Sequence, residues 1–108
     1  MDQRQVFEIA EQYTKVVVDN FNDVNKVVLY GSYANGTMSK ESDIDIAVIV
    51  NSVGDDFLAA NAELYRLRRK IDLRIEPVLL VNEDDPSDFL PNVLHTGKII
   101  YDSTNLKH

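Results

Sequence analysis

The chain has 108 residues, room for one domain around a single core. Eleven basic against eighteen acidic residues leave a formal charge of -7, which argues against a general nucleic-acid binder and suits a site that recruits cations, a surface that meets a basic partner, or plain solubility. The absence of cysteine excludes disulfides and thiolate metal sites, and no apolar run approaches the roughly eighteen residues of a membrane span.

The start, Met1-Asp2-Gln3-Arg4-Gln5, is polar and has no apolar signal core, so a cytoplasmic protein is expected. Val6, Ile9, Ala10, Tyr13, Val16, Val17 and Phe21 recur at helical spacing and predict an amphipathic helix over residues 3–20. Asn22-Asp23 break it, and Lys26 to Tyr30 read as a short buried strand. A Gly31-Ser32 turn then opens a short helix, and Asp43 to Asn51 form a second strand whose Ile44, Ile46, Val48 and Val50 face away from its aspartates. Ser52-Val53-Gly54-Asp55 is a turn, after which Phe57, Ala60, Leu64, Leu67 and Ile71 mark one buried helical face. Arg66, Arg68, Arg69 and Lys70 fall mostly on its wet side, where cations near a helix C-terminus are favourable.

Leu73 to Val81 read as the third strand, with Asp72, Arg74 and Glu76 sharing a face. Pro77 lacks a ladder donor and requires an edge position or an irregularity there. Asp85-Pro86 is an N-cap and first residue for a helix through Phe89, Leu90, Val93 and Leu94, which Pro91 is expected to divide. Gly97 ends it, Lys98 to Tyr101 form a last strand, and residues 102–108 read as a frayed tail behind a domain of residues 1–101. The whole is a small α/β (α+β) domain, a mixed sheet flanked by helices.

The chemistry concentrates between the first two strands. Gly31 lets backbone approach a phosphate closely, and Ser32 offers it a hydroxyl and an N–H, with the N-terminus of the following helix aimed at the anion. Ten residues separate Ser32 from Asp43-Ile44-Asp45. Alternate side chains of a strand share a face, so these two carboxylates project together, roughly 7 Å apart, and repel unless a cation sits between them. Hard oxygen ligands suit Mg²⁺, which also takes ligands from substrate phosphates. A phosphate grip and a metal grip on neighbouring strands describe a nucleotidyl-transfer site. Lys40, Tyr33 and His95 are weaker candidates: an exposed loop lysine, a packing aromatic and a helix-end residue. With His108 equally without a companion at ligand spacing, zinc is not expected.

The segment from Gly31 to Asp45 resembles the Gly-Ser…Asp-x-Asp signature of the DNA polymerase β-like nucleotidyltransferase superfamily, and the chain from about Val6 to Tyr101 looks most like its minimal nucleotidyltransferase (MNT) type, found in toxin–antitoxin pairs with HEPN-domain proteins. That resemblance implies two Mg²⁺ ions bridged by Asp43 and Asp45, with Gly31 and Ser32 holding the β- and γ-phosphates of a nucleoside triphosphate, ATP being expected. It also implies a third carboxylate from the strand after the long helix. Asp72 and Glu76 share the required parity; Glu76 is favoured because a carboxylate between apolar residues needs a cation, even if only Arg74 two residues away. The implied activity is transfer of AMP to a hydroxyl of a HEPN toxin by its antitoxin. The alternatives are an antitoxin acting by binding alone, with vestigial catalysis, and a small-molecule nucleotidyltransferase of the aminoglycoside-modifying kind. Larger relatives bind the acceptor with an additional helical domain; here a partner, a second copy or an open site is expected to do so.

Overall fold

The computed structural model describes residues 3–31, 43–52, 56–82 and 89–103. The expected helix after Ser32, the turn residues 53–55, the Asp85-Pro86 cap and the tail from residue 104 lie outside the described residues, as do the candidates Tyr33 and Lys40.

Seven elements follow in order: α1 (Gln3–Asn20), β1 (Val24–Tyr30), β2 (Ile44–Val50), α2 (Phe57–Arg68), β3 (Ile75–Val81), α3 (Phe89–Thr96) and β4 (Lys98–Asp102). The strands form one four-stranded sheet in the order β3-β2-β1-β4. β1 lies antiparallel to β2 and β4, whereas β2 and β3 run parallel. A parallel neighbour cannot be reached by a tight turn, so the chain crosses over through α2, the helix read between those two strands.

Strand parity divides the core into two layers. Val27, Leu29, Ile44, Ile46, Val48, Val50, Ile75 and Leu79 pack against Val6, Ala10, Tyr13 and Val17 of α1 and Leu64 and Leu67 of α2. On the opposite face, Val28, Ala47 and Ile49 pack with Val93 of α3. The predicted inward stripes of α1 and β2 are thus the observed ones. Phe57 departs from its expected burial and is 43% exposed at the first residue of α2. The helix buries its later turns instead, and Asp56 caps it by accepting from the Ala59 N–H at 2.9 Å.

Two prolines sit where their missing N–H costs little. Pro77 lies in β3, which is an edge strand, and the ladder continues past it to Val81. Pro91 does not divide α3: as the third helical residue it falls among the first-turn N–H groups that have no intrahelical acceptor. β3 starts at Ile75 rather than Leu73, because Asp72 Oδ1 accepts from the Arg74 N–H at 2.8 Å and holds a turn there. Gly97 ends α3 as expected, its N–H donating to the Val93 carbonyl at 2.8 Å. A β-carbon there would come within 2.5 Å of Val28 Cγ1, so glycine is what lets the helix end settle against β1.

α1 and α2 are tied by one buried polar contact, in which the Tyr13 hydroxyl donates to the Leu64 carbonyl at 2.8 Å. Burial pushes the Tyr13 phenol far above its ordinary range, so it remains a donor at any working pH. Replacing Tyr13 by Phe removes this bond while keeping the ring. Urea unfolding should show a loss of about 1 kcal/mol, the usual net worth of a hydrogen bond, with an unchanged m-value.

Candidate active site

In β2 every residue is buried except Asp45, which is half-buried. The ladder places it between Tyr30 of β1 and Glu76 of β3, its register partners on either side. Tyr30, Asp45 and Glu76 therefore form a row across three strands on the α3 side of the sheet. Asp43, one residue before β2, is exposed at the same end.

The electrostatics register this crowding. The Asp45 carboxyl is raised above the ordinary carboxylate range, first by burial and then by the negative charges of Asp43 and Glu76. Tyr30 is pushed up to about 12, by burial first and then by Asp45, Tyr65 and Glu76. Asp43 and Glu76 thus both act on Asp45 through space. Among the described residues, however, no three His, Cys, Asp or Glu side chains are gathered into a group that would enclose a cation.

Gly31 follows β1 with φ +77°, the left-handed region in which glycine is favoured. A β-carbon there would fall on the Asp45 carboxylate, with Asp45 Cγ at 3.1 Å. Besides the phosphate approach expected of it, Gly31 therefore has a second use: it gives the Asp45 side chain its room. Ser32 lies outside the described residues.

The two candidates for a third carboxylate have different partners. Asp72 is tied to its near neighbour Arg74, with Oδ1 accepting from Nε at 3.0 Å and Oδ2 from Nη2 at 2.7 Å, contacts that lower its pKa. Glu76 is in the row. Its cationic neighbour is Arg68, whose Nη1 lies 3.5 Å from Glu76 Oε1; Arg74, the partner expected for Glu76, is engaged with Asp72. Arg68 also donates to the Ile75 carbonyl at 2.8 Å, so it is not on the wet side as helical spacing suggested. His95 is exposed in the last turn of α3, a helix-end residue as expected.

Tyr30, Tyr65 and Arg68 are the site neighbours that sequence reasoning passed over. Tyr30 carried a signal, since it stands two residues from Val28 and immediately before Gly31. No local pattern shows that Arg68 would reach across the edge of β3. A cavity of about 290 Å³ lies elsewhere, between α1 and β4, lined by residues including Glu11, Lys15 and Tyr101.

A family model described as polymerase beta nucleotidyltransferase matches residues 11–105. The chain belongs to that family. A relative from Methanocaldococcus jannaschii, assigned by name as a protein adenylyltransferase, is 35% identical over 80 residues, covering 72% of this chain and 79% of its own. A solved toxin–antitoxin structure with AMP-PNP superposes with a TM-score of 0.67 at 28% identity, covering 86% of this chain and 73% of the matched one. A complex of tri-AMPylated Shewanella oneidensis HEPN toxin with MNT antitoxin shares the fold, with a TM-score of 0.63 at 23% identity over 94% of this chain and 74% of its own. The mixed sheet with flanking helices is thus the fold of this nucleotidyltransferase family, and the chain is a nucleotidyltransferase. Members of the family act with divalent metal, and no helix among the described residues is long and apolar enough to cross a membrane.

Two changes test the geometry of this nucleotidyltransferase without substrate. Gly31→Ala meets both an unfavourable φ and the Asp45 carboxylate, and should cost about 1–3 kcal/mol in denaturant unfolding. Asp45→Asn should have the opposite sign. A carboxyl whose folded pKa is raised contributes stability that is present below its unfolded pKa and lost as pH rises through the folded one. Near neutral pH the metal-free Asp45→Asn protein should therefore melt higher than wild type, and the difference should shrink on acidification through the carboxylate range.

Proposed function

We propose that this nucleotidyltransferase is a Mg²⁺-dependent protein adenylyltransferase that transfers AMP from ATP to a hydroxyl of a HEPN-domain toxin, acting in the cytoplasm as its antitoxin. The observation that carries this reading is the row of Asp45 and Glu76 in register, with Asp43 in electrostatic reach and Gly31 against Asp45. The likeness to a protein named as a protein adenylyltransferase supports the transferred group and the class of acceptor. The 28% identical toxin–antitoxin structure with AMP-PNP supports an adenine nucleotide and a toxin partner.

In this reading Asp43, Asp45 and Glu76 hold two Mg²⁺ ions. The donor set fits: all three are carboxylates, and a cation among them would relieve the repulsion that raises Asp45. Bound Mg²⁺ would neutralise charge on the triphosphate and on the transferring phosphoryl group. Gly31 and Ser32 hold the β- and γ-phosphates. The acceptor oxygen bonds to the α-phosphorus as the bond to the bridging oxygen of pyrophosphate breaks, and Glu76 would either help hold the metal that faces the hydroxyl or act as the base that takes its proton. Glu76 is preferred to Asp72 because Asp72 already has both oxygens on Arg74.

The direct test mixes the protein with its HEPN partner, Mg²⁺ and labelled ATP; label and mass gained by the partner support transfer. Asp43→Asn and Asp45→Asn should each lower transfer by about 100-fold or more, because asparagine keeps the shape but not the charge. Both should still bind the partner. If both still protect cells as wild type does, protection is by binding alone. Ser32→Ala should raise the KM for ATP without lowering the melting temperature. Full activity of this variant at limiting ATP would remove Ser32 from the phosphate site.

A further inference from the structure

Arg68 is held from three sides at the C-terminal end of α2. Its Nη1 donates to the Ile75 carbonyl at 2.8 Å, its guanidinium lies 4.9 Å from the centre of the Tyr65 ring, and the same Nη1 is 3.5 Å from Glu76 Oε1. The first two contacts do not involve Glu76. They fix the guanidinium at the outer edge of β3, where Ile75 begins the strand, and the planar side chain satisfies carbonyl and ring together. Of the two hydrogen bonds the guanidinium makes among the described residues, the one to Glu76 is the longer, at 3.5 Å, and the weaker.

We infer that Arg68 is a built-in competitor for Glu76: in the metal-free protein it holds the third carboxylate at the β3 edge, and a divalent cation must draw Glu76 away from it. This rests on the proposed role of Glu76 as a metal ligand. The competition is one-sided, because the Ile75 carbonyl and the Tyr65 ring keep Arg68 in place when Glu76 leaves. It agrees with the finding that, among the described residues, Asp43 and Glu76 act on Asp45 without the three being gathered into a metal-binding group. Arg68 thereby sets how tightly the metal binds, and favours occupancy when cation and triphosphate charges arrive together.

The test needs no acceptor. Mn²⁺ binding is measured by the loss of the free-ion EPR signal, with Mn²⁺ as the sole added ligand, for wild type, Arg68→Met, Glu76→Gln and the double variant. Arg68→Met keeps an apolar stem and removes the charge, and should tighten Mn²⁺ binding by about two- to fivefold, the range for a partly exposed ion pair. In the Glu76→Gln background the same change should leave affinity within error, since nothing is left to compete for. A structural role for Arg68 predicts unchanged or weaker binding, and either result overturns the inference. An equal tightening in both backgrounds would also overturn it, by showing that Arg68 acts on the whole site through space. If Glu76→Gln itself binds Mn²⁺ as wild type does, the assignment of Glu76 as a ligand fails. If only the Arg68→Met result is negative, that assignment stands and Arg68 alone is excluded. Should Arg68→Met melt below the assay temperature, Arg68→Gln, which retains a donor for a carbonyl, carries the same comparison with the same outcomes.

Discussion

Asp45 is placed by the burial of the strand that carries it. β2 is flanked on both sides by paired strands and covered on both faces, so each of its other residues is buried. A carboxylate is tolerable in such a strand only near its end, where it keeps part of its hydration. Asp45 is the second residue of β2 and occupies that position. The two ladders then decide its neighbours: β1 brings Tyr30 and Gly31 to one side, and β3 brings Glu76 to the other. Any slip of register by one residue would turn these side chains to the opposite face.

The cost of this arrangement is electrostatic. Burial and the negative charges of Asp43 and Glu76 act together on Asp45, and burial with the charges of Asp45, Tyr65 and Glu76 raises the Tyr30 phenol. A fold that keeps acids together in this way stores a preference for cations. The surrounding arginines are arranged unequally around that charge. Arg74 closes a local turn with Asp72 and neutralises it beside the row. Arg68 is bound chiefly to a carbonyl and a ring, and reaches Glu76 at 3.5 Å. Asp72 is thereby held by its near neighbour, while Glu76 keeps a single longer contact with an arginine.

Glycine matters at two close approaches. Gly31 leaves room for a carboxylate and Gly97 leaves room for Val28, and both lie on the α3 side of the sheet. That side has the smaller core, Val28, Ala47, Ile49 and Val93. The larger core on the other face, with α1 and α2, carries most of the buried side chains and no member of the row. The main core and the row are therefore separated by strand parity, which lets changes in the row be made with little loss of packing.

Local pattern alone sufficed for the described elements and for which way most of them face. Val6, Ala10, Tyr13 and Val17 repeat at helical spacing and are fully buried, and the alternation of Ile44, Ile46, Val48 and Val50 against Asp45 is observed as read. These periodicities are properties of a single segment, set by the geometry of helix and strand, so they are visible before any segment meets another. The tertiary structure decided what lies beside what. Strand alternation is the same whichever neighbour a strand pairs with, so it did not show that Tyr30 and Glu76 would flank Asp45. Helical spacing put Arg68 on the wet side, but a long side chain goes where an acceptor is found, and the Ile75 carbonyl lies at the open edge of β3. The start of β3 at Ile75 and the pairing of Asp72 with Arg74 were likewise settled by a side chain capturing a backbone N–H, a competition that residue parity does not describe.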